Sequence, residues 1–319
     1  MIRSELDAAG IGEPRLRDAY RQCRDLNATH GRTFFLATQL LAPAQRPPIH
    51  ALYGFARWAD DIVDLADGHT TTPAARLDAL AQRLFDGIDN SVSADPIVAA
   101  VGDTVARFDI DRALFEDFLA SMRMDLTVTD YPDRAALDRY MRGSAEVIGL
   151  QVLPVLGTIG PTENAAPYAA ALGKAFQLTN FLRDIAEDLD RGRVYLPADE
   201  LAAFGVDRDR LQWCRDQRRT DTRVRTALAA QHAITRNWYR TARTGIDLLH
   251  PVSRPCVTTA AMLYGEILDR IEATDFAVFS QRATVSRTRR AAVAGPALAR
   301  ALWARRGGRA DTLTTTMPS

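Results

Sequence analysis

The segment Tyr53-Gly54-Phe55-Ala56-Arg57-Trp58-Ala59-Asp60-Asp61-Ile62-Val63-Asp64 has no helix breaker after Gly54 and reads as a helix. At about 100° per residue, Tyr53, Arg57, Asp60 and Asp64 fall within a sector of ~60°, with Asp61 on its edge. Leu52, Phe55, Ala56, Trp58, Ala59, Ile62 and Val63 surround this stripe with apolar side chains. Here the polar residues are the minority face, the reverse of an ordinary surface helix, so the stripe is expected to face an enclosed polar cavity.

A second segment repeats the pattern: Gln177-Leu178-Thr179-Asn180-Phe181-Leu182-Arg183-Asp184-Ile185-Ala186-Glu187-Asp188. Gln177, Asn180, Asp184 and Asp188 fall within a sector of ~80°. Arg183 and Glu187, four apart on a neighbouring face, are placed to pair. Carboxylates four apart on a helix suit magnesium, which takes hard oxygen ligands, keeps several waters and uses one or two carboxylates together with substrate phosphates. Two such helices facing each other would hold ions around a diphosphate, with Asn180 and Gln177 adding neutral contacts and Arg57 neutralising phosphate oxygens. One acidic motif alone is weak, because exposed acidic clusters are common. Two, each embedded in apolar residues, are more specific. The bland alternative is a structural ion-pair network between helices.

The rest of the chain is helical in pattern. Apolar residues recur at three- and four-residue spacing, and alternating β-branched runs are lacking. Breaks at 42–48, 66–73, 87–96, 129–133, 157–167, 191–209 and 250–255 divide it into roughly eight to ten helices. No break resembles an interdomain linker, and there is no internal repeat. The expected fold is all-α, with a single domain over residues 15–290 and a tail over 291–319 that forms a short helix and is then disordered.

Composition narrows the function. The 319 residues are 47% hydrophobic and 25% charged, enough for a sizeable core, and the formal net charge of zero gives no sign of a nucleic-acid partner. Lys174 is the only lysine. Cys23, Cys214 and Cys256 are far apart and suggest neither a disulfide framework nor a zinc site. The charged first 30 residues do not read as a signal peptide, and no run of about 18 apolar residues predicts a membrane span, so a cytoplasmic protein is expected. His50, His69, His232 and His250 are scattered, mostly near loops, and read as structural. Arg215 to Arg225 alternates with Asp216 and Asp221 and reads as a solvated helix face. No Gly-rich dinucleotide or phosphate loop is present.

The two acidic segments resemble the paired aspartate motifs of the squalene and phytoene synthase family. Tyr53, Arg57, Asp60, Asp61 and Asp64 match the first motif. Gln177, Asn180, Arg183, Asp184, Glu187 and Asp188, followed by Arg193, Tyr195 and Pro197, match the longer and more specific second one. His30 to Leu36 resembles the family's early diphosphate segment, with Arg32 and Thr33 as its basic and hydroxyl residues before Phe34. Met122 to Leu126 resembles a phytoene synthase signature. Tyr140 to Gly149 is similar to a helix lining the prenyl tunnel, although Glu146 stands where a small or neutral residue is expected. Phe279 to Arg290, with Arg282, Arg287 and Arg289, resembles an arginine-rich end. The likeness spans roughly residues 20–290.

This resemblance implies an isoprenoid-synthase-type helical bundle around a central cavity. It implies head-to-head joining of two prenyl diphosphates, most naturally geranylgeranyl diphosphate, through prephytoene diphosphate to phytoene, the entry to carotenoids. Magnesium, with manganese as a substitute, would be held by Asp60, Asp61, Asp64, Asn180, Asp184 and Asp188, and no NADPH is expected. Arg57, Arg183 and Tyr195 would contact or position the leaving diphosphate. Arg32, Thr33, Phe34, Tyr53, Tyr140, Gln177 and Asn180 would bind substrate. The small residues Gly143, Ser144, Ala145 and Gly149 suit either a polyene or close helix packing, and Pro154 should kink their helix. A lipid-soluble product makes peripheral contact with the inner membrane surface plausible. The rivals are a presqualene diphosphate or squalene synthase acting on farnesyl diphosphate, a non-catalytic prenyl-binding helical protein, and, less closely, a cyclising terpene synthase. Oligomeric state is not readable.

Overall fold

A computed structural model of the chain describes residues 2–64, 70–90 and 93–314, with side chains described as far as Arg305. His69 and residues 66–69 and 91–92 of two expected breaks lie outside the described residues. The first half comprises α1 (Ile2–Ala8), α2 (Pro14–His30), α3 (Arg32–Thr38), α4 (Arg46–Asp64), α5 (Pro73–Asn90), α6 (Pro96–Phe108) and α7 (Ala113–Met124). Then come α8 (Arg134–Met141), a π-helical turn (Arg142–Glu146), α9 (Val147–Leu156), α10 (Thr162–Asp190), α11 (Ala198–Ala202), α12 (Arg208–Asp216), α13 (Thr222–Thr244), α14 (Arg254–Ala273) and α15 (Arg287–Thr314). Among the described residues there are no strands, only two isolated bridges.

These fifteen helices exceed the number expected because short helices hide inside the breaks. α11 lies within the 191–209 stretch, and 140–157 is α8, a π turn and α9 rather than one helix. Pro154 does sit inside α9, but the departure from regular α geometry falls earlier, at the π turn. Acidic caps set several helix starts. Asp95, Asp133, Asp207 and Asp221 each accept hydrogen bonds from first-turn amides, and Pro14 and Pro96 occupy first-turn positions where no amide is needed. α15 is longer than the short helix expected after Ala291.

α10, 29 residues and about 43 Å long, runs through the middle of the molecule against α9 and α13. α4 packs along α2 and α6. The two acidic helices thus belong to different halves of the core, α4 to the one built with α2, α5, α6 and α7, and α10 to the one built with α13 and α14.

Three local expectations are revised. His50 and His232 lie within α4 and α13 rather than by loops, and both are buried. Burial pushes the His50 imidazole down to about 3, so it is neutral, with Asn27 hydrogen-bonded to its Nδ1 at 2.9 Å. The arginine-rich Arg215–Arg225 stretch spans the end of α12, the turn at 217–221 and the start of α13, not one helix face, with Arg215 paired to Asp190 and Asp216 and Arg225 to Asp275. Glu146 stands where a small or neutral residue was expected, and the single lysine pairs with it. Lys174 Nζ lies 2.8 Å from Glu146 Oε1 and 4.5 Å from the Trp238 ring centre, pinning the π turn to α10 and α13.

Candidate active site

A cavity of about 370 Å³ lies between α4 and α10, closed by α3, α8, α9 and α14. From α4 it is lined by Leu52, Tyr53, Ala56 and Asp60; from α10 by Leu172, Gly173, Phe176, Gln177 and Asn180. Phe34 of α3 and Tyr140 of α8 complete the polar end. Phe34 packs on Tyr264 and Phe176, with ring centres 4.8 Å and 5.5 Å away. The remaining wall is mostly apolar and includes Ile148, Val152, Leu156, Val257 and Ala260, with Asn27, Thr38 and Gln151 among its polar members. Ser144, Ala145, Gly149 and Gly173 expose small surfaces to it. They also allow close backbone approach, since a methyl on Gly149 would sit 2.3 Å from the Ala169 carbonyl oxygen, and one on Gly173 2.2 Å from that of Ala145. Of the small residues weighed, Ser144, Ala145 and Gly149 line the cavity, while Gly143 does not and serves close packing, a methyl there meeting the Asp117 carbonyl oxygen at 2.0 Å.

The four principal carboxylates divide into two kinds. Asp64 and Asp184 are clamped by arginines. Arg193 and Arg191, from the turn after α10, reach Asp64 at 2.8 Å and 3.2 Å and so tie the end of α10 to the end of α4. Arg183 grips Asp184 through two hydrogen bonds of 2.7 Å and 2.5 Å, and Arg282 adds a third at 2.8 Å. Burial alone would raise the Asp184 carboxyl; the bonds from Arg183 and Arg282 outweigh it and hold the group below the ordinary carboxylate range.

Among the described residues Asp60 and Asp188 have no such partners. Asp60 is exposed and lines the cavity; loss of hydration beside the surrounding protein, together with the Asp64 charge, pushes it up to about 7 against the pull of Arg57. Asp188, 8% exposed, is pushed to about 8 by burial and then by Asp184, despite Arg191 and Arg193. The charge of Asp64 on α4 also bears on Asp188 of α10, so the two acidic rims act on each other.

Arg57 does not enter the cavity, because it turns to Asp61 one helical turn away at 2.5 Å. The expected Arg183–Glu187 pair does not form either. Arg183 folds onto the adjacent Asp184 and reaches Tyr264, and Glu187 on the exposed rim takes Arg282 at 3.1 Å. Arg32, exposed at φ +33°, and Thr33 begin α3; neither lines the cavity. Tyr195 lies behind the wall, stacked on Phe181 with centres 4.2 Å apart and bonded through its hydroxyl to Asp125 at 3.0 Å.

Several residues here were not singled out as site residues from the sequence. Arg282 belongs to the arginine-rich stretch Phe279 to Arg290, in which nothing local marks which arginine meets Asp184. Arg193 was part of the second motif but had been given no role. Asp125 lay inside the Met122–Leu126 signature. Tyr264 had no local signal, being one aromatic in an apolar helix.

Among the described residues, no three carboxylates, histidines or cysteines converge into a ready chelating cluster. The donor set nevertheless fits magnesium. Among the described residues neither Asp60, exposed at the cavity, nor the buried Asp188 has an ion-pair partner, and Asn180 Oδ1, on the same cavity as Asp60, is buried without a hydrogen-bond partner. An ion that takes one or two carboxylates and completes its shell with water and phosphate needs no preformed triad.

The squalene/phytoene synthase family model matches residues 27–289. Phytoene synthase from Arthrospira platensis is 38% identical over 281 residues, covering 84% of this chain and 88% of that protein. The chloroplastic phytoene synthase 2 of Solanum lycopersicum is also 38% identical, over 293 residues covering 90% and 92%. The crystal structure of a dehydrosqualene synthase in complex with ligand superposes with a TM-score of 0.81 at 26% identity, covering 89% of this chain and 96% of that one. The chain belongs to the squalene/phytoene synthase family.

Proposed function

We propose that this protein is a phytoene synthase-type prenyltransferase that joins two molecules of geranylgeranyl diphosphate head to head, through prephytoene diphosphate. One observation carries this most directly: Asp60 of α4 and Gln177 and Asn180 of α10 line a single cavity whose remaining wall is mostly apolar. Identities of 38% to phytoene synthases favour the twenty-carbon substrate, against 26% to a dehydrosqualene synthase.

Asp60, Asp64, Asn180, Asp184 and Asp188 would hold magnesium, with manganese as a substitute; when bound, it supplies Lewis-acid stabilisation of the departing diphosphate. The protein's own groups do the rest. Arg183 and Arg282 keep Asp184 ionised and present positive charge at the rim where a diphosphate would arrive. Arg193 and Arg191 hold the ends of α4 and α10 together. Phe34, Phe176 and Tyr53 place aromatic surface along the cavity, where an allylic cation would form, and the apolar walls keep water from quenching it.

Peripheral contact with the inner membrane surface, from the cytoplasmic side, accompanies this activity. Among the described residues no helix is long and apolar enough to cross a membrane. On α15, Ala297 and Ala301 face inward onto the cluster that includes the cavity residues Leu41, Leu156 and Val257. Leu298, Leu302 and Trp303 are exposed, the last by 78%, next to the exposed Arg300. Apolar anchors with adjoining arginine suit an anionic lipid surface.

The test is incubation of purified protein with magnesium and either geranylgeranyl or farnesyl diphosphate, without NADPH. A forty-carbon triene from the first substrate supports the proposal. Activity confined to the fifteen-carbon substrate overturns it in favour of a squalene-type synthase.

A further inference from the structure

Asp125 occupies an unfavourable place for a carboxylate. It caps the C-terminus of α7, where the helix dipole opposes negative charge, and it is only 9% exposed. Burial raises its carboxyl above the ordinary range. Among the described residues no arginine contacts the carboxylate itself. Its two oxygens are taken by two phenols: Tyr140 donates to Oδ2 at 2.7 Å and Tyr195 to Oδ1 at 3.0 Å. The neighbouring Arg193 binds the main-chain carbonyl of Asp125 at 3.1 Å and Asp64 at 2.8 Å. A group that only filled space here would be better neutral, since a buried anion at a helix C-terminus costs stability.

The two phenols are not equivalent. Tyr140 lines the cavity, whereas Tyr195 stands behind it in the stack with Phe181. A phenol has a single hydrogen to donate. With both hydrogens committed to Asp125, neither hydroxyl is free to donate to a diphosphate, and Tyr140 is held in one place in the cavity wall.

We propose that Asp125 is a positioning residue for the ionisation step: it fixes Tyr140 in the cavity wall, uses Tyr195 as the second strut, and joins this unit to Asp64 through Arg193. The proposal rests on the prenyl-diphosphate reading of the cavity and adds the residue that holds this tyrosine of its wall in place.

A double-mutant cycle tests it, run with whichever of geranylgeranyl or farnesyl diphosphate the wild type converts. Inactivity of the wild type on the first substrate would count against the proposed activity and not against Asp125. Asp125→Asn keeps the shape and one acceptor oxygen but cannot accept from both phenols. It should lower kcat by about tenfold or more while KM changes by less than about threefold. Tyr140→Phe should cost a similar factor. The double variant should fall no further than about threefold below Tyr140→Phe, because the two residues act as one unit. If thermal melting shows that Asp125→Asn does not fold, Asp125→Glu, which keeps the charge and displaces it by one methylene, replaces it with the same expectations. A kcat within threefold of wild type, or single losses that multiply in the double variant, would overturn the proposal.

Discussion

Asp64 and Asp184 differ from Asp60 and Asp188 although all four occupy equivalent places in the two acidic helices. The first pair is held by arginines from the 191–193 turn, from position 183 and from position 282. The second pair has no ion-pair partner among the described residues, and its carboxyls are pushed to about 7 and about 8. Helical spacing puts carboxylates on a stripe, but groups brought in from elsewhere in the chain decide which remain uncompensated. A divalent ion has most to offer the uncompensated pair.

The largest expected effect follows from that division. Asp60→Asn and Asp188→Asn should each lower kcat by about a thousandfold or more in steady-state assays with magnesium, with the circular dichroism spectrum unchanged. Arg193→Ala should be milder, roughly 10–100-fold in kcat/KM, because it removes a clamp on Asp64 and not a proposed ligand. Equal losses in the two classes would erase the distinction.

Stability should separate the classes in the opposite sense. The raised Asp188 carboxyl means that, between about pH 4 and pH 8, the native metal-free protein binds more protons than the unfolded chain, so stability falls as pH rises through that window. Asp188→Asn should therefore raise the metal-free Tm at pH 8 by a few degrees, at roughly 2–4 °C per kcal/mol, and flatten its decline between pH 5 and pH 8. Asp184, with a lowered carboxyl, contributes stability above its unfolded value, and Asp184→Asn should lower Tm at pH 8. Melting curves in chelator at the two pH values check both signs.

Much of this arrangement was legible in the sequence. Periodicity was sufficient for an all-helical chain, and the minority polar stripes pointed to an enclosed site, because both depend on residues within one helix. Tyr53, Asp60, Gln177 and Asn180 line the cavity in keeping with that pattern. Arg57 shows the limit, because its helical angle suited the stripe but a carboxylate one turn away captured it. Arg183 likewise met its adjacent aspartate before Glu187. Asp125, Tyr264 and Arg282 reach the site from α7, α14 and the segment after it, and no local spacing encodes such a meeting. Glu146 was anomalous only until Lys174, 28 positions along the sequence, was seen beside it at 2.8 Å.

The smallest effect on turnover belongs to α15, far from the carboxylates. Replacing Leu302 and Trp303 together by serine should weaken cosedimentation with anionic phospholipid vesicles by roughly tenfold. Turnover of detergent-solubilised substrate should stay within about twofold of wild type. Undiminished vesicle binding would remove α15 as the contact and leave the active-site comparison untouched.

The central claim is that α4 and α10 jointly hold ions around a diphosphate across one cavity. Manganese binding followed by electron paramagnetic resonance, in the presence of inorganic diphosphate, tests it without requiring turnover. The wild type should bind manganese, and Asp60→Asn on one helix and Asp188→Asn on the other should each weaken binding by at least about tenfold. Binding of wild-type strength in both variants would contradict it.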